Sequence, residues 1–355
     1  MLSHGLNIDE YSIFDSSVSK KMKSVLVRKV ISSLKITNTS FNDQTFSLGI
    51  TKNVETTDAF FEADICHLHW SGGEMFNITA PSFLAKPKII TLHDDWVNNG
   101  LSHYPIDDTK ENLVTKLLTK WNKPRVERFL GSCSFIVAPS KWLQQRTQEH
   151  YPKYAAKILY IPNPIPHIQT QTICNDDRRG ILFLSGDRSH NRKGSDTLLE
   201  LLTLMEPAQR NQVALTIVGD LPSELKRRLS FLKLNTLVFM QKQDSDGLAA
   251  LYSSHRILLH LSKIDNFPNT ILEAGMNGLM TVGIDAGGSA EATEGFGQYF
   301  FPHSNLAELN NCIIQELNRP SPTSLQHFLQ QRYSYKHIGK RYYELMEKID
   351  KCRSQ

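Results

Sequence analysis

The chain has 355 residues, 40 basic against 36 acidic side chains for a net charge of +4, and 40% hydrophobic and 21% charged residues. That length suits about two domains of ~150 residues each, the composition is that of a globular chain and excludes wholesale disorder, and so mild a charge argues against nucleic acid as a partner. No run approaches the ~18 apolar residues of a membrane-spanning helix. The opening residues lack the basic and apolar regions of a signal peptide. The five cysteines form no Cys-x-x-Cys pair, which makes a zinc knuckle or a disulfide framework unexpected and a reducing cytoplasm the expected compartment.

In chain order, the segment from Lys20 to Lys35 carries six basic residues and no acid. As a helix it brings Met22, Val25, Leu26 and Val30 to one face. Such a helix fits an anionic membrane surface, with Lys116, Lys120, Lys123, Arg125 and Arg128 extending its charge, and fits equally a solvated helix covering a sheet. Strands are predicted at Thr45–Leu48, Ile65–Trp70, Lys88–Leu92 and Phe135–Ala138, the last after a helix-period stretch over 123–130. His67 and His69 share a strand face by period two. They fit hydrogen-bonded histidines, or a metal pair with no evident third ligand. His93 and Asp94 follow a strand at its carboxyl end, where open parallel sheets meet substrates, although a structural pair fits them as well.

Three prolines in the five residues from Pro162 to Pro166 forbid helix and stiffen the chain. The expected division is therefore 1–168, 169–324 and a closing helix over 325–355 that packs across the domains. In that last segment Ile338, Tyr342, Leu345 and Ile349 form one apolar stripe. Between them, apolar strands at 181–184, 215–218, 236–239, 257–261 and 281–284 alternate with helix-period stretches at 197–205, 223–232, 247–253 and 269–276. Continuous apolar strands between amphipathic helices predict a parallel sheet covered on both faces, an α/β fold. Asp244-Ser-Asp246 spells the Asp-x-Asp metal motif but precedes a helix, where capping is the better reading. No Gly-x-Gly-x-x-Gly supports NAD chemistry.

Chemistry concentrates in three places. A strand ends at Ser185, a polar loop carries Arg188, Arg192 and Lys193, and a helix starts near Ser195. Cations beside free helix amides suit a diphosphate, and a solvated basic loop fits the same residues. In Asp265-Asn266-Phe267-Pro268-Asn269-Thr270-Ile-Leu-Glu273, Pro268 suits a first helical turn. Both carboxylates can then face one cleft and accept paired hydrogen bonds from the vicinal hydroxyls of ribose or sugar. A dipole-favoured acid at a helix start reads the same way. Gly287 and Gly288, followed by Glu291, let backbone approach a ligand or make a tight turn.

Taken in order, these pieces resemble the family 4 retaining glycosyltransferases of GT-B architecture, and among them the bacterial transferases of capsule, exopolysaccharide and lipopolysaccharide synthesis. The likeness runs from Ile65-Cys-His-Leu-His-Trp through His93-Asp94, Val137-Ala-Pro-Ser-Lys-Trp-Leu and Ile161-Pro-Asn-Pro. It continues through Arg192-Lys193-Gly194 and Val218-Gly-Asp to Asp265–Ala274 and Gly287–Glu291, covering roughly residues 60 to 350. It implies two Rossmann-like domains facing a cleft, and a nucleotide-diphosphate sugar as donor with a saccharide or lipid-linked saccharide as acceptor. Cofactor and metal are expected to be none. Lys193, with Arg188 or Arg192, would bind the diphosphate, and Glu273 the ribose. Asp265 would sit at the first acid of the family's Glu-x7-Glu motif, beside the transferred sugar. The amides of Asn269 and Thr270 would meet sugar or phosphate, and His93, with Asp94, would line the catalytic cleft. Asn266, Phe267, Gly287, Gly288 and Glu291 complete the implied donor site.

The chain departs from the family's pattern at three points. Asp265 replaces Glu. Asp187 stands where the phosphate-binding Arg is usual, with Arg188 one residue late. The opening strand and glycine-rich loop have no counterpart, so the N-terminal domain is expected to be incomplete. These departures also admit a catalytically inactive homologue serving as a partner or scaffold subunit.

Overall fold

The computed structural model describes residues 47–50, 58–69, 77–104, 113–166, 178–186, 192–294, 298–319 and 324–353. The Lys20–Lys35 segment, the start of the Thr45–Leu48 strand, and Arg188 lie outside these. The chain forms two compact units, Met1–Pro162 with Lys336–Gln355, and Asn163–Tyr335. The boundary falls inside the proline-rich segment, and the C-terminal residues rejoin the first unit. Among the described residues no helix is long and apolar enough to cross a membrane.

The first unit holds a parallel sheet of β1 (Cys66–His69), β2 (Lys88–Thr91), β3 (Phe135–Ala138) and β4 (Ile158–Tyr160), in that order. Alternation sends neighbouring residues to opposite faces. Ile90 and Ile136 pack with Phe83, Val126 and Phe129 on one side. Ile89 and Val137 pack with Ile338, Tyr342, Leu345 and Ile349 on the other, so the C-terminal stripe lands on this sheet. β4 is too short for its alternation to be read in sequence. The helix before β3 spans Leu113–Ser132, well beyond the 123–130 stretch, and contains Pro124. Pro124 is exposed, so the hydrogen bond it forfeits lies on the side away from the core.

Among the described residues, the second unit holds a six-stranded parallel sheet of β5 (Gly180–Gly186), β6 (Ala214–Gly219), β7 (Thr236–Met240), β8 (Ile257–His260), β9 (Met280–Ile284) and β10 (Gln298–Phe301). Their order is β10-β9-β8-β5-β6-β7. Ile181, Phe183 and Ile217 face Leu198, Leu201 and Leu202. Leu182 and Leu258 face Ile271 and Leu272. Both faces are thus covered, which is why the strands are apolar throughout. The closing helix expected as one piece is two, Leu325–Tyr333 and Tyr335–Arg353, with Ser334 extended between them. Leu325, Leu329 and Tyr333 belong to the second core, so the break separates apolar residues committed to different units.

From β5 the chain runs outward to β6 and β7, then returns to place β8 on β5's other side. In open parallel sheets, ligands bind in the crevice at the carboxyl ends of the strands at such a reversal.

Candidate active site

That crevice is built from the loops after β5 and β8. Gly186 ends β5 at φ 72° and Gly219 ends β6 at φ 110°. A side chain at Gly219 would stand 2.7 Å from the Gly186 carbonyl. Gly194, at φ 79°, precedes the Ser195–Leu204 helix. Its Cβ position lies 2.0 Å from the Leu261 carbonyl, so glycine alone lets the two loops touch. Lys263 N–H donates to the Arg192 carbonyl at 2.9 Å, and the Lys263 ammonium pairs with Asp196.

This closure brings Lys193 Nζ to 2.9 Å from Asp265 Oδ2 and an Arg192 guanidinium nitrogen to 3.6 Å from the same oxygen. Asp265 Oδ1 accepts from Asn266 N–H at 3.0 Å. Burial pushes the Asp265 carboxyl up, but Lys193, His260 and Arg192 together hold it well below the ordinary carboxylate range. His260, at the end of β8, contacts Ser289 Oγ through Nε2 at 3.2 Å. Burial pushes its imidazole down to about 4, with Lys193 and Arg192 adding to the effect and Asp265 opposing it.

Beside this group lies an open cavity whose lining includes Gly186, Lys193, Gly219, Lys242, His260 and Thr270. Thr270 is in the first turn of the Asn269–Met276 helix and Glu273 one turn on. Glu273 Oε2 accepts from the Tyr252 hydroxyl at 2.8 Å. Burial raises the Glu273 carboxyl, and the Tyr252 hydrogen bond pulls it part of the way back. Asn269 Oδ1 accepts from Asn163 Nδ2 at 3.1 Å. Lys242, Gln243 and His260 also line the cavity, and the sequence did not single them out. The first two follow β7 directly, so the strand-end rule that marked Lys193 could have found them. Tyr252 carries no such signal.

Other expected donor residues make contacts within the second unit. Phe267 is buried, its ring edge-on to Tyr333 at 5.8 Å. Gly287 approaches protein rather than open space: its Cβ would stand 2.2 Å from the Asp265 carbonyl, which accepts from Gly288 N–H at 2.9 Å. Glu291 sits in the Ser289–Ala292 turn. Asp244 caps the Ser245–Ser254 helix, accepting from Gly247 N–H at 2.8 Å, as its position predicts.

In the first unit His93 stacks beside His69, with Nε2 3.1 Å from His69 Nδ1. His67 packs on His69 with ring centroids 4.3 Å apart and contacts Thr91 Oγ1 through Nε2 at 3.0 Å. Withdrawal from water and mutual repulsion push His67 to about 3 and His93 to about 4, so the rings are neutral at pH 7. Among the described residues no group of three or more His, Cys, Asp or Glu side chains is arranged to hold a metal ion. Asp94 is occupied within its own loop: Oδ1 accepts from Trp96 N–H at 3.0 Å and Oδ2 pairs with His103.

Two family models match the sequence: "Glycosyltransferase Family 4" over residues 22–167 and "Glycosyl transferases group 1" over residues 178–319. No curated protein matches the chain. Among solved structures, the chain is similar to Staphylococcus aureus TarM in complex with UDP, at 14% identity and TM-score 0.58, covering 79% of this chain and 55% of that one. Sucrose-phosphate synthase from Thermosynechococcus elongatus matches at 17% identity and TM-score 0.59, over 83% and 75% of the two chains. Anabaena HepE in complex with UDP and glucose matches at 18% and 0.55, over 82% and 79%. The chain thus spans about half the length of the TarM structures. These likenesses are of fold.

Proposed function

The chain belongs to the family 4 glycosyltransferases of GT-B architecture, and on that premise we propose that it moves a hexosyl-type sugar from a nucleotide-diphosphate donor to a saccharide or lipid-linked saccharide, with retention at the anomeric carbon. The setting we propose is cell-surface polysaccharide synthesis at the cytoplasmic side of a membrane. One observation carries the reading: Lys193 and Arg192 converge on Asp265 at the strand-reversal crevice, next to the cavity that Thr270 lines.

A departing nucleoside diphosphate gathers negative charge as the glycosidic bond breaks. Fixed cations stabilise that charge most where water is scarce, and they need no rearrangement as it develops. Lys193 and Arg192 would meet the diphosphate, the Asn269–Met276 helix would offer its first free amides, and Glu273, steadied by Tyr252, would accept from the ribose hydroxyls. Asp265, one carbon shorter than Glu, is held by the cations and would face the sugar only as the diphosphate takes its place. His93 would line the acceptor side. With two cations at the leaving group, no divalent ion or cofactor is proposed.

UDP, GDP and ADP should be titrated against wild type and Lys193→Ala. One of them is expected to bind wild type and to lose about tenfold to a hundredfold in affinity in the variant, as when a charge-assisted hydrogen bond is removed. If none binds wild type, the reading fails. Transfer should persist in excess chelator, and NMR of the fresh product should show the donor's anomeric configuration.

A further inference from the structure

The Leu113–Ser132 helix has two working faces. Thr115, Asn122, Val126, Phe129 and Leu130 are buried, and Val114 and Leu118 pack on Leu48 and Leu101. On the opposite face Leu113, Leu117 and Trp121 recur at i, i+4 and i+8 and stay 71%, 58% and 52% exposed. Helical geometry puts this spacing on one stripe about 12 Å long. A core helix needs no second apolar stripe.

The surroundings of the stripe are cationic. Lys116, Lys120, Lys123 and Arg128 are exposed beside it. The Arg125 guanidinium lies over the Trp121 ring, 4.3 Å from its centroid. The helix contains a single acid, Glu127, and Lys153 neutralises it.

We infer that this face is an interfacial anchor that seats the first unit on a membrane rich in anionic lipid, with Leu113, Leu117 and Trp121 entering the headgroup boundary and the lysines pairing with lipid phosphates. Two features favour lipid over a protein partner. A tryptophan flanked by leucines and long basic side chains matches the headgroup region, where the indole sits half in and half out of hydrocarbon. Lysine stems can also lie along the apolar stripe while their ammonium groups reach the phosphates. The charge alone is expected to contribute about fivefold in affinity per lysine near an anionic surface. The inference is independent of the sugar-transfer reading, because binding is measured without donor or acceptor.

The test is flotation of the full chain with vesicles of phosphatidylethanolamine and phosphatidylglycerol, against vesicles of phosphatidylcholine alone. Wild type is expected to float with the first, to stay behind with the second, and to be released by high salt. Leu117→Ser with Trp121→Ser should weaken vesicle affinity at least tenfold. Lys116→Gln with Lys120→Gln should remove most of the preference for anionic lipid. All four positions are exposed, so unchanged circular dichroism and melting temperature are the expected fold controls. The inference is overturned if wild type ignores phosphatidylglycerol vesicles, or if both double variants float as wild type does. It is overturned equally if the variants abolish only a self-association seen by sedimentation equilibrium, which would assign the face to a second copy of the chain.

Discussion

Glu273 shows how one side chain depends on another that no motif marks. Its carboxyl is partly withdrawn from water, and the Tyr252 hydroxyl, 2.8 Å away, favours its ionised form and fixes its direction. Tyr252→Phe is therefore expected to cost about 1 kcal/mol of nucleoside diphosphate affinity, close to fivefold, with the melting temperature little changed; calorimetric titration would show it. Asp265 should behave oppositely. It occupies Lys193 and Arg192 in the free protein, so an incoming diphosphate must displace a carboxylate. Asp265→Asn is expected to tighten nucleoside diphosphate binding severalfold at pH 7 and to slow transfer; weaker binding by the variant would show that the pair positions Lys193 instead. Lys193, Arg192 and Asp265 were legible because each lies in a loop that follows a strand, and Glu273 because it lies in the helix after such a loop. Tyr252 was not, because its role is a contact across the fold rather than a spacing along the chain.

At the level of elements, the crevice depends on how closely loops are joined. Gly194 combines a left-handed φ of 79° with a Cβ position 2.0 Å from the Leu261 carbonyl. Gly194→Ala would force backbone apart beside Lys193. A loss of roughly 2 kcal/mol or more in stability is expected, by thermal unfolding, together with weaker nucleotide binding. Ser140, which caps the Lys141–His150 helix by accepting from Leu143 N–H at 3.1 Å, lies in the other unit. Ser140→Ala should cost about 1 kcal/mol with donor binding intact. Caps of this kind follow a local rule and are read directly, as at Asp244. The break at Ser334 is not local: no proline or glycine marks it, and it exists because Tyr333 and Ile338 belong to different cores.

For the whole molecule, the C-terminal helix decides whether the first sheet is covered. Truncation after Tyr335 removes Ile338, Tyr342, Leu345 and Ile349 from Ile89 and Val137. Hydrogen exchange should then show lost protection on β2 and β3, with β5 to β8 protected as before. The titrating groups also set a pH dependence. His67 and His260, with pKa near 3 and 4 in the fold against 6.5 unfolded, take up protons on unfolding. Stability is therefore full above about pH 6.5 and falls as the pH drops toward 4. Asp265, held low in the fold, adds a further loss below the ordinary carboxylate range. Thermal melts from pH 8 to pH 4 should show a steady decline, less steep in His260→Asn between pH 6.5 and 4.

The sequence by itself determined the alternation of apolar strands and amphipathic helices, the parallel sheet of the second unit, the family, and the cations and acids at strand ends. All of these are set by neighbours within a few positions, or by motifs whose order the chain preserves. Only the tertiary structure decided that Asp265 and Lys193, 72 residues apart, form an ion pair, that the glycine at 287 makes room for backbone, and that a tyrosine holds Glu273. It alone sent the Leu113–Trp121 stripe outward. Which face of a helix meets solvent, and which oxygen meets which cation, depends on the packing of distant segments, and one-dimensional spacing carries no record of that.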